Sequence, residues 1–261
     1  MLPVPRIACV GFLDRQERQG AGFPCVSQDA LQRRLGMVGA MDGIKIDSHG
    51  FEAGHRIYTP LMLRTYDRFV LGFSNRWLWR CPTAELLQLY QRNVGKRHLD
   101  IGVGTGYFLD KVEWPVAVPD ITLLDLNRNC LDAASARIAR FKPQSVLANA
   151  LELLPSMAPF DSIGLCYLFH CLPGSLAQKA VLFDNLKPVV KAGSRLFGAS
   201  IVQDAGRQGF ATRKVLSVYN RKGIFSNVGD TSEILRFELN KRFDRATVCS
   251  IGSVALFEVT V

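Results

Sequence analysis

The sequence lacks any long hydrophobic run. Although 48% of its 261 residues are hydrophobic, no uninterrupted apolar stretch approaches the roughly 20 residues that a membrane-spanning helix needs. The apolar run at residues 7–13 is short for a secretory signal and ends at Asp14. These two absences argue against an integral membrane protein and favour a cytoplasmic location.

Cysteine pairs and metal-ligand spacings are also missing. The seven cysteines are an odd number without a Cys-x-x-Cys pair. The four histidines show no ligand spacing with each other or with the cysteines. We therefore expect reduced, structural thiols, as in the cytoplasm, and no metal site.

Two nucleotide-binding patterns are absent from residues 96–110, where three glycines stand at alternate positions. There, Gly102, Gly104 and Gly106 follow a short apolar run. A dinucleotide loop would need its third glycine at Tyr107, and no Gly-Lys-Ser/Thr follows for a phosphate-binding loop. Glycines permit positive φ and close approach of the backbone to a ligand. The segment therefore predicts a strand, a cofactor-binding turn and the start of a helix.

A second acid follows the next strand. Residues 119–127 form a buried-strand pattern that ends in Asp125, and Asn127 is expected to cap the following helix. A carboxylate at the tip of the second parallel strand can bind a ribose diol with both oxygens. A short third strand, residues 145–148, then leads to Asn149.

The chain resembles the class I S-adenosylmethionine-dependent methyltransferases. The resemblance rests on the glycine loop with its preceding acid Asp100, on the later acid Asp125 and on Asn149. The resemblance covers roughly residues 58–261. It implies S-adenosylmethionine as cofactor. It also implies an α/β, Rossmann-like doubly wound fold whose seven-stranded sheet is mostly parallel, with an antiparallel C-terminal hairpin. The layout looks most like small stand-alone enzymes that act on small molecules.

The resemblance also assigns roles to residues. In the family, the acid before the loop approaches the cofactor's amino group or holds the loop, the second acid binds the ribose, and the Asp or Asn after the third strand contacts the adenine amino group. The expected cofactor-binding residues are Asp100, Gly102, Gly104, Gly106, Asp125, Leu126, Asn149, Ala150 and Tyr167.

The sequence predicts that the chain is organised into three parts. Residues 1–40 carry scattered prolines and glycines without periodicity, which predicts a loosely ordered arm. A start of translation at Met37 or Met41 would make this arm dispensable. Residues 41–95 are expected to form a helical lid segment, and residues 96–261 the methyltransferase domain.

The lid segment has broad apolar faces with arginines four residues apart. It predicts two short helices separated near residues 72–74, then a helix at residues 84–91 capped by Thr83. The resemblance places such a segment over the cofactor pocket. The expected acceptor-binding residues are Tyr58, Tyr66 and Phe69, with Tyr219 from the later chain. Ordinary packing on the sheet and weak contact of a basic amphipathic helix with a membrane surface remain open alternatives.

The second half predicts the remaining strands and helices. The expected elements are a fourth strand at residues 160–170, a helix at 176–190 ended by Gly193, a fifth strand at 194–202, a polar, glycine-bearing insertion at 203–230, a helix at 232–241, and closing strands near 245–251 and 253–260. The short link near Gly252 requires the closing strands to be antiparallel.

His170 is the candidate general base, because it comes at the expected carboxyl end of a central strand. Methyl transfer from a sulfonium depends on alignment and exclusion of water, and a proton acceptor is added for a hydroxyl or ammonium nucleophile. The alternative for His170 is a turn residue bonded to the backbone. Tyr58, Tyr66 and Tyr219 are weaker candidates for the same role.

The net charge of +9 is compatible with a nucleic-acid partner. Base-amino methyltransferases, however, carry Asn-Pro-Pro-Tyr or Asp-Pro-Pro-Tyr after the fourth strand, where this chain has the sequence Tyr-Leu-Phe-His at 167–170. We therefore expect a small apolar or anionic acceptor. An RNA or protein methyltransferase, or a cofactor-binding member that does not methylate, is the alternative. The sequence gives no indication of the oligomeric state.

Overall fold

The computed structural model describes residues 67–204, 206 and 208–261, the side chains of residues 68–70 excepted. Several predictions lie outside these residues: the arm at 1–40, the first part of the lid segment with Tyr58 and Tyr66, and the side chain of Phe69.

Strands and helices alternate along the described chain, as expected for βαβ units. In chain order they are the lid helix (Asp67–Leu78), α1 (Thr83–Asn93), β1 (Arg97–Ile101), α2 (Tyr107–Lys111), β2 (Asp120–Asp125), α3 (Arg128–Arg137), β3 (Gln144–Leu147), β4 (Phe160–Cys166), α4 (Leu176–Lys179), α5 (Val181–Asn185), β5 (Val190–Ile201), α6 (Phe210–Arg221), α7 (Ser232–Asn240), β6 (Ala246–Ile251) and β7 (Val254–Thr260).

The strands form one seven-stranded sheet in the order β3-β2-β1-β4-β5-β7-β6. Strands β1 to β5 pair in parallel, whereas β7 pairs antiparallel with both β5 and β6. This confirms the predicted fold class, including the antiparallel hairpin. The strand order reverses direction between β1 and β4, which opens a crevice at their carboxyl ends.

Each face of the sheet has its own hydrophobic cluster. Residues of β1 alternate in burial partners, as the two-residue period of a strand requires: Leu99 and Ile101 belong to the cluster that also contains Phe183 and Leu235. The opposite cluster contains Leu86 and other residues of α1, α2, α3 and α6. On β1, His98 and Asp100 therefore point towards α1, and both are buried.

The lid segment differs from its prediction. Instead of two helices separated near residues 72–74, the structure has one twelve-residue π-helix. Its wide turns continue to its end, where the backbone N–H of Trp79 donates to the carbonyl of Ser74 at 2.8 Å. Thr83 does not cap α1, since Pro82 precedes the helix without a side-chain cap. The Thr83 hydroxyl instead donates to the carbonyl of Leu71 on the lid helix.

Three boundaries in the second half were also predicted wrongly. Strand β4 ends at Cys166, and Tyr167 turns the chain with φ of 59°. The predicted helix at 176–190 is divided into α4, α5 and a short 3₁₀ turn, and β5 begins at Val190, before Gly193. The predicted insertion at 203–230 contains α6, because its glycines delimit a helix whose apolar residues pack on the sheet. Within the described part of the chain, no helix is long and apolar enough to cross a bilayer.

Candidate functional site

A cavity opens at the carboxyl ends of β1, β2 and β4. Its empty volume is about 1070 Å³ with the open mouth included. The described residues that line it are Leu71, Tyr90, Asp100, Ile101, Gly102, Val103, Gly104, Thr105, Tyr107, Phe108, Leu124, Asp125, Leu126, Asn127, Cys130, Ala148, Asn149, Ala150, Cys166, Tyr167, Leu168, Cys171 and Leu172.

The glycine loop forms the floor of this cavity. All three glycines have positive φ, between 52° and 74°. A Cβ on Gly104 would meet nothing within 4 Å, so this glycine leaves open space beside the backbone. A Cβ on Gly106 would lie 3.0 Å from Ala134 of α3, so this glycine lets the loop pack on α3 instead of lining the cavity. Gly104 and Gly106 thus differ in what a side chain at each position would meet.

Asp100 is held at the cavity by a buried chain of hydrogen bonds. Its Oδ2 accepts from the Tyr90 hydroxyl at 2.9 Å. The Ser162 hydroxyl accepts from the backbone N–H of Gly95 and forms a 2.8 Å hydrogen bond with His98 Nδ1. His98 Nε2–H then donates to the same Oδ2 at 3.3 Å. Both donors act on one oxygen, which leaves Oδ1 for a ligand's donor group.

Asp125 lies at the tip of β2 and also lines the cavity. Its Oδ1 accepts from the backbone N–H of Asn127 at 2.8 Å. Burial raises the pKa of Asp125 to about 6, against the lowering effect of N–H groups from Asn127, Gly104, Val103 and Leu126. Asn127 caps α3 as predicted, its side chain accepting from the N–H of Asn129.

Asn149 follows β3 and lines the cavity together with Ala150 and Leu126. Its side chain stabilises its own turn: Oδ1 accepts from the N–H of Leu151 at 3.0 Å, and Nδ2 donates to Glu152 at 2.9 Å. The carbonyl oxygen keeps a second lone pair. A contact from Asn149 to an adenine amino group is therefore chemically available.

An apolar wall forms another part of the cavity lining. It consists of Leu71 from the lid helix and of Tyr167, Leu168, Cys171 and Leu172 after β4. The Tyr167 hydroxyl donates to Oδ1 of Asn75 on the lid helix at 2.8 Å. The lid helix and the turn after β4 therefore build this wall together.

His170 and Tyr219 are not among the described residues that line the cavity, although the His170 ring lies 5.6 Å from that of Tyr167, which does line it. His170 is only 4% exposed, and its Nδ1 accepts a long 3.3 Å hydrogen bond from the backbone N–H of Ile201. Its ring packs 4.5 Å from that of Phe225, which in turn lies 5.0 Å from Tyr219. Burial, with a smaller contribution from Lys179, lowers the pKa of His170 to about 3. A neutral imidazole with so low a pKa is a weak base.

The structure thus brings together most of the predicted cofactor residues and adds others. Sequence reasoning missed Tyr90, Thr105, Leu71 and Asn75. Of these, only Leu71 and Asn75 could have been found from the sequence, because they are four residues apart and so share one face of a helix. In the described part of the chain, no three His, Cys, Asp or Glu side chains cluster as metal ligands would.

Known proteins resemble this chain in sequence and in fold. No family model matches it. The demethylluteothin O-methyltransferase of Streptomyces thioluteus is 37% identical over 205 residues, which cover 78% of this chain and 89% of that protein. The physcion biosynthesis cluster O-methyltransferase of Aspergillus chevalieri is 37% identical over 210 residues, which cover 79% of this chain and 94% of that protein.

Among solved structures, the DhpI–SAH complex has a TM-score of 0.56 at 13% identity, covering 81% of this chain and 97% of that one. This likeness supports the Rossmann-like sheet seen here. The sequence relatives exceed 30% identity over most of both chains, and the glycine loop, Asp100 and Asp125 surround one cavity. The chain therefore belongs to the class I S-adenosylmethionine-dependent methyltransferases.

Proposed function

We propose that this methyltransferase methylates a hydroxyl oxygen of a small, largely apolar acceptor. The observation that carries the proposal is the wall formed by Leu71, Tyr167, Leu168, Cys171 and Leu172, which is apolar except for the Tyr167 hydroxyl and the Cys171 thiol. Such a wall favours desolvated, flat or aliphatic groups over phosphates. The names of the two relatives, both O-methyltransferases, support oxygen as the methylated atom.

The cavity residues fit S-adenosylmethionine. We propose that Asp125 accepts hydrogen bonds from the ribose hydroxyls, that Asp100 Oδ1 faces the ammonium group, and that Asn149, Leu126 and Ala150 surround the adenine. The open side of Gly104 gives the cofactor room against the loop backbone. When bound, the cofactor supplies a methyl group on a positively charged sulfur that is a good leaving group.

The work of the protein is then alignment, exclusion of water and charge balance. Asp100 and Asp125 are the two carboxylates among the described lining residues. They favour a cationic cofactor over its neutral, demethylated product. Leu71 and the turn after β4 keep water away from the acceptor side.

The acceptor's own acidity is expected to help. Among the described lining residues, burial raises the pKa of Tyr90 and of the thiols of Cys130 and Cys166. These groups stay protonated and cannot remove a proton from the acceptor. We propose an acidic hydroxyl, such as a phenol or enol, as the acceptor group: it loses its proton to bulk water before methyl transfer, and the resulting oxyanion is the nucleophile. His170 as general base remains a prediction that the pH profile can test.

Incubation of the purified protein with methyl-labelled S-adenosylmethionine and fractions of cell extract tests the proposal. We expect the label in an organic-soluble small molecule, as an O-methyl group identified by mass spectrometry. Asp125→Ala in the same fractions is the matched control for cofactor-dependent transfer. Label in RNA or protein that disappears after nuclease or protease treatment would contradict a small-molecule acceptor.

A further inference from the structure

The first residue of the lid helix is tied to the cofactor loop. Oδ1 of Asp67 accepts from the Thr105 hydroxyl at 2.7 Å, and Oδ2 accepts from the Arg137 guanidinium at 2.5 Å. Thr105 stands between Gly104 and Gly106, and Arg137 is the last residue of α3. The side chains of Asp67 and Arg137 are 23% and 28% exposed, so their charges are partly shielded from water.

The middle of the lid helix is tied to the turn after β4. Asn75 is fully buried. Its Oδ1 accepts from the Tyr167 hydroxyl at 2.8 Å, and its Nδ2 donates to the Thr83 hydroxyl at 3.0 Å. Between the two ties, Leu71 is 6% exposed and contributes to the apolar wall of the cavity.

Asp67, Leu71 and Asn75 are four residues apart and share one face of the helix. That face therefore carries, in order, the charged contact of Asp67 with the loop, the wall residue Leu71 and the hydrogen bond of Asn75 to the turn after β4. A continuous π-helix of this length is rare, and such backbone conformations persist where surrounding contacts impose them. Because both ties reach residues that line the cavity, the lid helix cannot shift without disturbing either the cofactor loop or the acceptor wall.

We propose that Asp67 is a positioning residue that couples the cofactor loop to the acceptor wall. A cofactor on the loop restrains Thr105, and through Asp67 it fixes Leu71 and Asn75. Coupling between two sites is reciprocal. The same contacts therefore slow release of the cofactor, and binding of the cofactor in turn restrains the acceptor wall. The proposal rests on the proposed cofactor site.

The test uses S-adenosylhomocysteine as the probe, so that it needs neither turnover nor an acceptor. The release rate is measured by stopped-flow competition, and hydrogen exchange of residues 71–78 is followed with and without the probe. Asp110→Asn is the matched control, because Asp110 makes a similar 2.6 Å pair with Arg140 away from the lid helix. We expect Asp67→Asn to release the probe about tenfold faster, the size of a lost charge-assisted contact.

In Asp67→Asn, binding of the probe should also no longer protect residues 71–78, whereas Asp110→Asn should behave like the unsubstituted protein. Thr105→Val removes the same contact from the loop side without a change of charge and should speed release as well. Release rates and protection that stay within twofold of the control in both variants would overturn the coupling. Failure of the unsubstituted protein to bind the probe would overturn the cofactor site together with it.

Discussion

The hydroxyl of Tyr90 donates a 2.9 Å hydrogen bond to Oδ2 of Asp100. The two residues belong to different elements, α1 and β1, so the position of the cofactor-site carboxylate depends on the packing of a helix on the sheet. Burial, followed by the charge of Asp100, raises the pKa of Tyr90. Tyr90 therefore stays protonated and remains a donor.

Tyr90→Phe should weaken cofactor binding, because it removes a hydrogen-bond donor that holds Asp100 in place. A lost hydrogen bond to a carboxylate costs about 1.5–3 kcal/mol, part of it in folding stability. We expect about tenfold weaker binding of S-adenosylhomocysteine in calorimetry. Tyr219→Phe, which removes a hydroxyl away from the cavity, is the control. Equal affinities of the two variants would remove Tyr90 from the site.

Asp125→Ala should lower affinity for S-adenosylmethionine and for its demethylated product. Loss of the carboxylate removes charge-assisted hydrogen bonds of about 1.5–3 kcal/mol each. Calorimetry measures the change, and thermal melting checks that the variant is folded. Unchanged affinity in a folded variant would show that the ribose is bound elsewhere.

Cofactor affinity should also depend on pH through Asp125. Its raised pKa of about 6 means that the carboxyl gains a proton as the pH falls through 6. A protonated carboxyl accepts hydrogen bonds poorly, so affinity should fall up to about tenfold per pH unit below 6. Asp125→Asn should bind weakly with a flat profile between pH 5 and 8. A flat profile in the unsubstituted protein would contradict this assignment.

Lys179 and Asp230 form a buried pair that anchors the segment between α6 and α7. Lys179 Nζ donates to Asp230 Oδ2 at 2.7 Å and to the carbonyl of Ser226. Burial lowers the pKa of Lys179 and raises that of Asp230. Lys179→Met leaves the carboxylate without its cation and should cost about 3–5 kcal/mol in urea unfolding. Adding Asp230→Asn should recover part of this loss, and an equal or larger loss in the double variant would contradict the pairing.

His170→Asn tests whether the imidazole is structural or catalytic. Native His170 has a pKa of about 3, whereas the unfolded chain binds this proton near pH 6.5. His170 should therefore lower the free energy of unfolding by about 1.4 kcal/mol per pH unit as pH drops below 6.5, and comparison of the two proteins should show that His170→Asn has lost this contribution.

Turnover of the same variant, measured with the acceptor found by labelling, should fall by a factor that does not change between pH 5 and 9. Loss of an acidic limb near pH 6 to 7 from the kcat/KM profile, with the melting temperature preserved, would instead identify His170 as the general base.

Local patterns predicted the parts of the site that single segments build. The glycine loop and the tip of β2 with Asp125 and Asn127 follow from strand, turn and cap chemistry within a few residues. The contacts of Asp100 with Tyr90, and of Asp67 with Thr105, join separate segments. Periodicity gives the face on which such a residue lies, but it does not give the partner on the other segment.

His170 shows that a position near the end of a strand does not by itself make a residue line the cavity. The sequence favoured a strand through residue 170, but β4 ends at Cys166 and the left-handed backbone of Tyr167 redirects the chain. His170 consequently turns into the interior against Phe225. In α6, Gly209 precedes the first turn and Gly223 follows the last, so glycines that suggested an insertion are helix boundaries.

The turn between β6 and β7 is packed on the end of the lid helix. The backbone N–H of Ser253 donates to the carbonyl of Trp79 at 2.8 Å, and a Cβ on Gly252 would collide with the carbonyls of Trp79 and Arg80. Among the described elements, the lid helix is synthesised before the strands, and the β6–β7 hairpin on which it rests is synthesised after all the others. Domains assemble as units during synthesis. The growing chain therefore cannot seat the lid helix on this support until the β6–β7 hairpin has been synthesised.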